Sequence, residues 1–263
     1  MILVRTGEFL DTNILFDAVY TVRPLYQKFH KKFDPIYLLK QLSITVSVDT
    51  EVQKIATESI NFLINGLYNT IKPLGWDDLS ASEKDNVLKI LNKEIEANQE
   101  IKDANRTLFV QDALKLIAPQ LQNLSKEDII EQLCPNLHYT YTRDLQGKIF
   151  EHFSIPPVDG AHPSHKDFLD VIKRANKNCK AFEMKENQDF DILTDLILLI
   201  SVGAKYANNL TQDFDNINFY SRDTRFEKNF NEFKKHFDSN TNRNSNENFI
   251  KDAIDNINVD KPY

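Results

Sequence analysis

GEFLDTNIL, residues 7–15, decides how this chain is read. Phe9 and Leu10 close a short apolar run, Asp11 follows, and Ile14 and Leu15 resume an apolar pattern. The stretch reads as a short strand running into a turn or helix, with a carboxylate at the junction. Three other segments read as strands: SITVSV at 43–48, β-branched at alternate positions, then 148–155 and 217–221. With 8–11 they alternate with helical pattern, which predicts a parallel sheet covered by helices. Ligands in such sheets bind beyond the carboxyl ends of the strands. The acids there are Asp11, Asp49 and Glu51 just past the second strand, and Asp223 at the end of the fourth.

The helix before that fourth strand carries more. FDILTDLILLISV, residues 190–202, is a run of large apolar side chains with two carboxylates set into it. Asp191 and Asp195 lie one helical turn apart and so share a face. An unpartnered buried carboxylate costs several kcal/mol. Sharing a cation with the strand-end acids would explain why they are there.

Composition limits the alternatives. The chain has 263 residues, 41% apolar and 27% charged, which is ordinary for a globular protein. Its six glycines favour long helices over tight turns. No stretch reaches the roughly 18 apolar residues of a membrane span, and MILVRTGEFLDTN has no cleavage-site pattern. Cys134 and Cys179 form no CxxC or disulfide framework, so a reducing cytoplasm is expected. A net charge of −7 disfavours a protein that coats nucleic acid but is compatible with a nuclease that keeps its cations local. No phosphate-cradling glycine motif is present.

Between about 80 and 133 two or three helices are expected, with SASE (80–83) and SKED (125–128) as capping boxes. HPSHKDFLDVIKRANKN (162–178) reads as an amphipathic helix. TRFEKNFNEFKKHF (224–237) reads as another, with aromatics at three- and four-residue intervals. The expected organisation is a core of residues 1–70 and 140–240, a helical insertion over 71–139, and a polar linker with a short C-terminal helix over 241–263.

In these segments the chain resembles the PIN-domain nucleases. FLDTNIL (9–15) is similar to their first motif, an apolar strand ending in Asp-Thr-Asn. DLILLISVGAKYAN (195–208) resembles the third, and INFYSRDTRF (217–226) the fourth, a strand ending in Thr/Ser-x-Asp. SVDTEVQKI (47–55) supplies Glu51 for the looser second motif, and IKRANKNCKAFEMKENQDFDILTDLILL (172–199) is similar to the approach to the third acid in some larger members. The resemblance covers roughly residues 5–67 and 145–235; the helical block from about 70 to 140 exceeds a minimal PIN domain.

The resemblance implies a Rossmann-like three-layer α/β/α domain with a mostly parallel sheet and a helical insertion. It implies hydrolysis of phosphodiesters with Mg²⁺ or Mn²⁺, which suits hard oxygen ligands without a His or Cys cluster. Asp11, Asp195 and Asp223 would be catalytic metal ligands, Glu51 would complete the set or orient the attacking water, and Asp191 is a further candidate ligand. Asn13 and Ser221 would hold the carboxylates in place. Arg222, Arg225 and Lys228, beside Asp223, are candidates for substrate contact. RNA is the expected substrate, with DNA open, as in a toxin or phage-defence ribonuclease that an inhibitor or regulatory partner controls. A non-catalytic PIN-like scaffold and a structure-specific DNA nuclease are the alternatives. A haloacid-dehalogenase type of site is disfavoured by Asn13, where that chemistry needs an acid.

Each residue also has a plainer reading. Asp11, Asp223 and Asp191 could be N-caps, Glu51 a solvated helix acid, Ser221 a strand-end serine, and the cations solvated faces. His138, His152, His162 and His165 lack the spacing of a zinc site.

Overall fold

The computed structural model describes residues 5–20, 23, 25–39, 41–97, 104–158, 163–183, 188–205 and 214–263. The chain divides into two compact units, Met1–Glu51 with Ile149–Tyr263, and Val52–Lys148.

The first unit is built on a four-stranded, all-parallel sheet in the order β2-β1-β3-β4. The strands are β1 Thr6–Leu10, β2 Leu42–Ser43, β3 Asn216–Tyr220 and β4 Ile257–Asp260. Phe9 lies opposite Ser43 on one side and Phe219 on the other, and Phe219 lies opposite Val259. Phe9, Leu10, Ile217 and Phe219 are fully buried, as an inner pair of parallel strands requires. Gly7 is where an aromatic crowds the first strand. A Cβ there would stand 2.6 Å from the Phe214 ring and 2.7 Å from that of Phe9. Gly7→Ala is therefore expected to lower stability by about 1–3 kcal/mol, read as a lower urea midpoint.

Helices α1 (Thr12–Val19) and α2 (Tyr26–Tyr37) connect β1 to β2 and pack on each other. Helices α7 (Pro163–Cys179), α8 (Gln188–Lys205), α9 (Thr224–Ser239) and α10 (Ser245–Asp255) form a second mutually packed group. The aromatic stripe of α9 is its buried face: Phe226, Phe230, Phe233 and Phe237 all point inward. Asn244 and Glu247 close a capping box at the start of α10.

Three local expectations change. The β-branched run at 43–48 is extended only over Leu42–Ser43, because helix α3 (Val46–Ile71) begins inside it. Thr45 Oγ1 accepts from Val48 N at 3.2 Å and the Asp195 carboxylate accepts from Ser47 N at 2.9 Å, so two of the first turn's free donors are satisfied. The segment 148–155 is mostly the end of helix α6 (Cys134–His152), with buried Leu145, Ile149 and Phe153 at helical spacing. Only Ser154 keeps a strand-like link, a parallel bridge to Ser43 at the outer edge of β2. Residues 241–263, read as linker and short helix, also supply the edge strand β4.

The second unit is helical, and none of its described residues lies in a strand. It holds the continuation of α3, a 3-10 turn at Trp76–Asp78, α4 (Ala81–Ala97), α5 (Ala104–Asn123), a π-helical stretch at Asp128–Leu133 and the start of α6. Trp76 is fully buried and donates to Leu124 O at 3.2 Å. Ser80 and Glu83 bond reciprocally at the start of α4, as SASE predicts. Pro135 has no N–H to donate, and the wider ladder just before it accommodates that gap.

Candidate functional site: carboxylates at the edge between β1 and β3

From β1 the chain passes to β2 on one side, while β3 and β4 lie on the other. The order of connection reverses between β1 and β3, and open parallel sheets bind ligands at such a point, beyond the carboxyl ends. Asp11 follows β1 and Asp223 lies three residues past β3.

Asp11 has an extended backbone and caps α1, its Oδ1 accepting from Thr12 N at 2.7 Å. Its Oδ2 accepts from Asn13 Nδ2 and from Ser221 Oγ, each at 2.6 Å. Asp11 N donates to Tyr220 O at 3.0 Å. The ends of β1 and β3 are thus joined through one carboxylate. Asp223 caps α9, accepting from Arg225 N at 2.7 Å, and its own N–H donates to Ser221 Oγ at 2.9 Å. Both acids are therefore N-caps, and Asn13 and Ser221 hold Asp11.

Capping does not account for the electrostatics of Asp11. The residue is 8% exposed. Burial pushes its pKa up to about 6, against the bonds from Ser221 and Thr12, and the charges of Asp189 and Asp223 push the same way. A surface N-cap would shift in the opposite direction.

Of the α8 acids, the charge of Asp189 acts on Asp11. At 3.6 residues per turn Asp189 lies roughly 200° around the helix from Asp191, whereas Asp191 and Asp195 lie roughly 40° apart. Asp191 and Asp195 do share a face, and the charge of Asp191 adds to the burial that raises Asp195. Asp195 accepts from Ser47 N and bonds Thr45, which makes it a cap for α3. Asp191 is also raised by loss of solvent, with Lys173 pulling it down. Asp189, raised by burial and by Asp223, is the α8 acid whose charge acts on Asp11. It stands beside the FDILTD pair in sequence, and a helical wheel over all three aspartates would have separated it from them. Asp195→Ala is expected to cost about 0.5–2 kcal/mol through loss of the α3 cap, measured by urea unfolding.

Glu51, in the second turn of α3, accepts from Thr12 Oγ1 at 2.5 Å and so adjoins the residue next to Asp11. The cations divide. Arg225 is exposed, and its Nη2 lies 3.4 Å from Asp189 and 3.6 Å from Asp223. Lys228 is exposed, 4.0 Å from Glu232. Arg222 turns inward instead: its Nη2 is 2.9 Å from Asp17, whose side chain is 2% exposed, and donates to Asn13 O at 3.0 Å. A buried carboxylate needs a counter-charge, which accounts for Arg222 facing the interior rather than the rim.

Among the described residues no group of three or more His, Cys, Asp or Glu side chains is arranged to hold a metal ion. The HPSH pair cannot be placed, since His162 and the side chain of His165 lie outside the described residues. His152 stacks on Tyr37 with ring centroids 4.5 Å apart. No helix among the described residues is long and apolar enough to cross a membrane.

Comparison with family models, with curated proteins and with solved structures finds no match. What the structure defines is the class: a mixed α/β protein with a four-stranded, all-parallel sheet.

Proposed function

We propose that this chain is a divalent-metal-dependent endonuclease of the PIN-like kind, hydrolysing phosphodiester bonds in RNA. The observation that carries the reading is the buried Asp11 carboxylate at the β1–β3 edge, raised to about 6 with Asp189 and Asp223 acting on it. Acids that repel one another lose that cost when a cation sits among them. The donor set is all oxygen, which fits Mg²⁺ or Mn²⁺ better than zinc. The four-stranded, all-parallel sheet, with an isolated parallel bridge between Ser43 and Ser154, is compatible with the Rossmann-like core of this reading.

In this reading Asp11, Asp189 and Asp223, which as they stand form no metal-holding group, would hold the ion, with Asp189 taking the place that the sequence pattern offers to Asp195. When bound, the ion supplies polarisation of the phosphate and a water of lowered pKa. Ser221 and Asn13 fix the direction of the Asp11 carboxylate, and Thr12 fixes Glu51 beside it. Arg225 and Lys228 face solvent near Asp223 and meet the substrate's phosphates. A protein inhibitor or regulatory partner, and a cytoplasmic setting, belong to the same proposal.

The second reading is a non-catalytic scaffold, favoured by Arg225 lying between Asp189 and Asp223 and already neutralising part of their charge. One experiment separates them: the protein with Mg²⁺, Mn²⁺ or EDTA, against single- and double-stranded RNA and DNA. The expected result is endonucleolytic cleavage of RNA that requires Mg²⁺ or Mn²⁺ and stops in EDTA. Cleavage of DNA alone would move the substrate, and no cleavage with either metal would leave the scaffold.

A further inference from the structure

The acid site is braced from behind by a chain of polar contacts that ends at Tyr263. Tyr263 Oη donates to Asp17 Oδ2 at 2.6 Å. The same oxygen lies 2.9 Å from Arg222 Nη2. Arg222 donates from Nη2 to Asn13 O at 3.0 Å, and its backbone N–H reaches Asn13 Oδ1 at 3.4 Å. Asn13 Nδ2 then donates to Asp11 Oδ2 at 2.6 Å. Four residues from three separate parts of the sequence, Tyr263, Asp17, Arg222 and Asn13, thus form a chain that ends on one carboxylate oxygen of Asp11. Asp17 is the hub, because it gathers Tyr263 and Arg222 on one atom, and the charge of Arg23 also acts on it.

Asp17 is on α1, two turns from Asp11, and its side chain is 2% exposed. Asn13 has both ends of its amide committed, one to Arg222 and one to Asp11. The Arg222 guanidinium holds the Asn13 backbone carbonyl while the Arg222 backbone N–H meets the Asn13 side-chain oxygen, so a displacement of Arg222 reaches Asn13 through both its main chain and its amide, and through the amide the oxygen that Ser221 also holds. Groups that orient a metal-binding carboxylate govern affinity and rate without touching substrate.

We propose that Asp17 is a positioning residue for the acid site, acting through Arg222 and Asn13 on Asp11, with the Tyr263 hydroxyl closing the brace. This rests on the proposed nuclease reading for its consequences in catalysis, but its geometry can be tested without activity. Two variants of the full chain are used, Asp17→Asn and Tyr263→Phe. The Asn13 side-chain amide is followed by ¹⁵N NMR, and Mn²⁺ binding by calorimetry without substrate. In Asp17→Asn the Asn13 amide signal moves and exchanges faster with solvent, Mn²⁺ affinity falls about 10- to 100-fold, and kcat falls more than KM changes. Tyr263→Phe moves the same signal in the same direction by less. An Asn13 signal and Mn²⁺ affinity that match the unmodified protein in both variants would overturn the proposal, even if the variants melt lower. If Asp17→Asn does not fold, Tyr263→Phe alone decides on the same two readouts. If the unmodified protein neither binds Mn²⁺ nor cleaves RNA, the nuclease reading fails, and the Asn13 signal still decides the brace.

Discussion

Asp11→Asn is expected to reduce metal-dependent RNA cleavage by more than the roughly 10- to 100-fold that losing a supporting residue costs, without making the protein less stable at neutral pH. The sign follows from the direction of the shift. The carboxyl of Asp11 titrates near 6 in the folded chain and near 3.8 when free, so between those values the folded state holds the extra proton. Stability contributed by this group is then greatest below about pH 4 and is lost as pH rises to about 6. The penalty remaining at neutral pH is about 3 kcal/mol, at 1.36 kcal/mol per pKa unit. The variant escapes that penalty. It loses a charge-assisted hydrogen bond worth about 1.5–3 kcal/mol, because its amide nitrogen faces the Asn13 amide where an oxygen was. The balance leaves the melting temperature at pH 7.5 unchanged or higher by a few degrees, and it flattens the fall in stability between pH 4 and 6. Asp17, Asp189 and Asp195 are raised as well and keep part of that slope in the variant. Urea midpoints of both proteins from pH 4 to 8, beside a cleavage assay, give the answer. A variant that melts several degrees lower and cleaves normally would reduce Asp11 to a helix cap.

Phe219→Ala is expected to cost about 3–5 kcal/mol, a loss large enough to unfold much of the first unit at physiological temperature. Phe219 sits in β3 between Phe9 of β1 and Val259 of β4, and is fully buried. Its ring lies 5.0 Å from that of Phe226, the first aromatic of α9, and Phe226 in turn meets Phe182 at 5.9 Å. Removing the ring leaves a void in the sheet's inner row and frees the helix whose N-cap is Asp223. The loss of stability and the loss of site geometry should therefore appear together. Guanidinium unfolding followed by far-ultraviolet circular dichroism measures the first; a loss below about 1 kcal/mol would show that the core around β3 can collapse onto the gap.

Several features were legible because their causes are local. GEFLDTNIL becomes a strand, a capping Asp and a helix. INFYSRD becomes a strand with Ser221 and Asp223 past its end. The phenylalanine spacing of α9 matches its buried face, and SASE its capping box. Others were read differently from the sequence than the structure has them. INVD at 257–260 alternates β-branched and polar residues over only four positions, too short a run to mark a strand by itself, and β3 supplies the backbone partners that make it one. TVSV at 45–48 favours a strand by composition, yet it starts a helix because Asp195, 148 residues away in sequence, caps Ser47. KIFEHF at 148–153 suggests a strand by its Ile and Phe content, but its buried apolar residues, with Leu145, fall at helical spacing as Leu145, Ile149 and Phe153.

The site divides in the same way. The sequence by itself determined that Asp11 and Asp223 follow strands and begin helices, since strand, cap and first turn are written within a few residues. It also determined that Asp191 and Asp195 share a face, since that is helix periodicity. Only the tertiary structure decided that the face bearing Asp189 is the one whose charge reaches Asp11, and that Arg222 turns inward to Asp17 rather than outward to solvent. The phase of a helix against a sheet, and the choice of counter-charge for a buried acid, depend on packing among segments far apart in the chain. No local pattern encodes that packing.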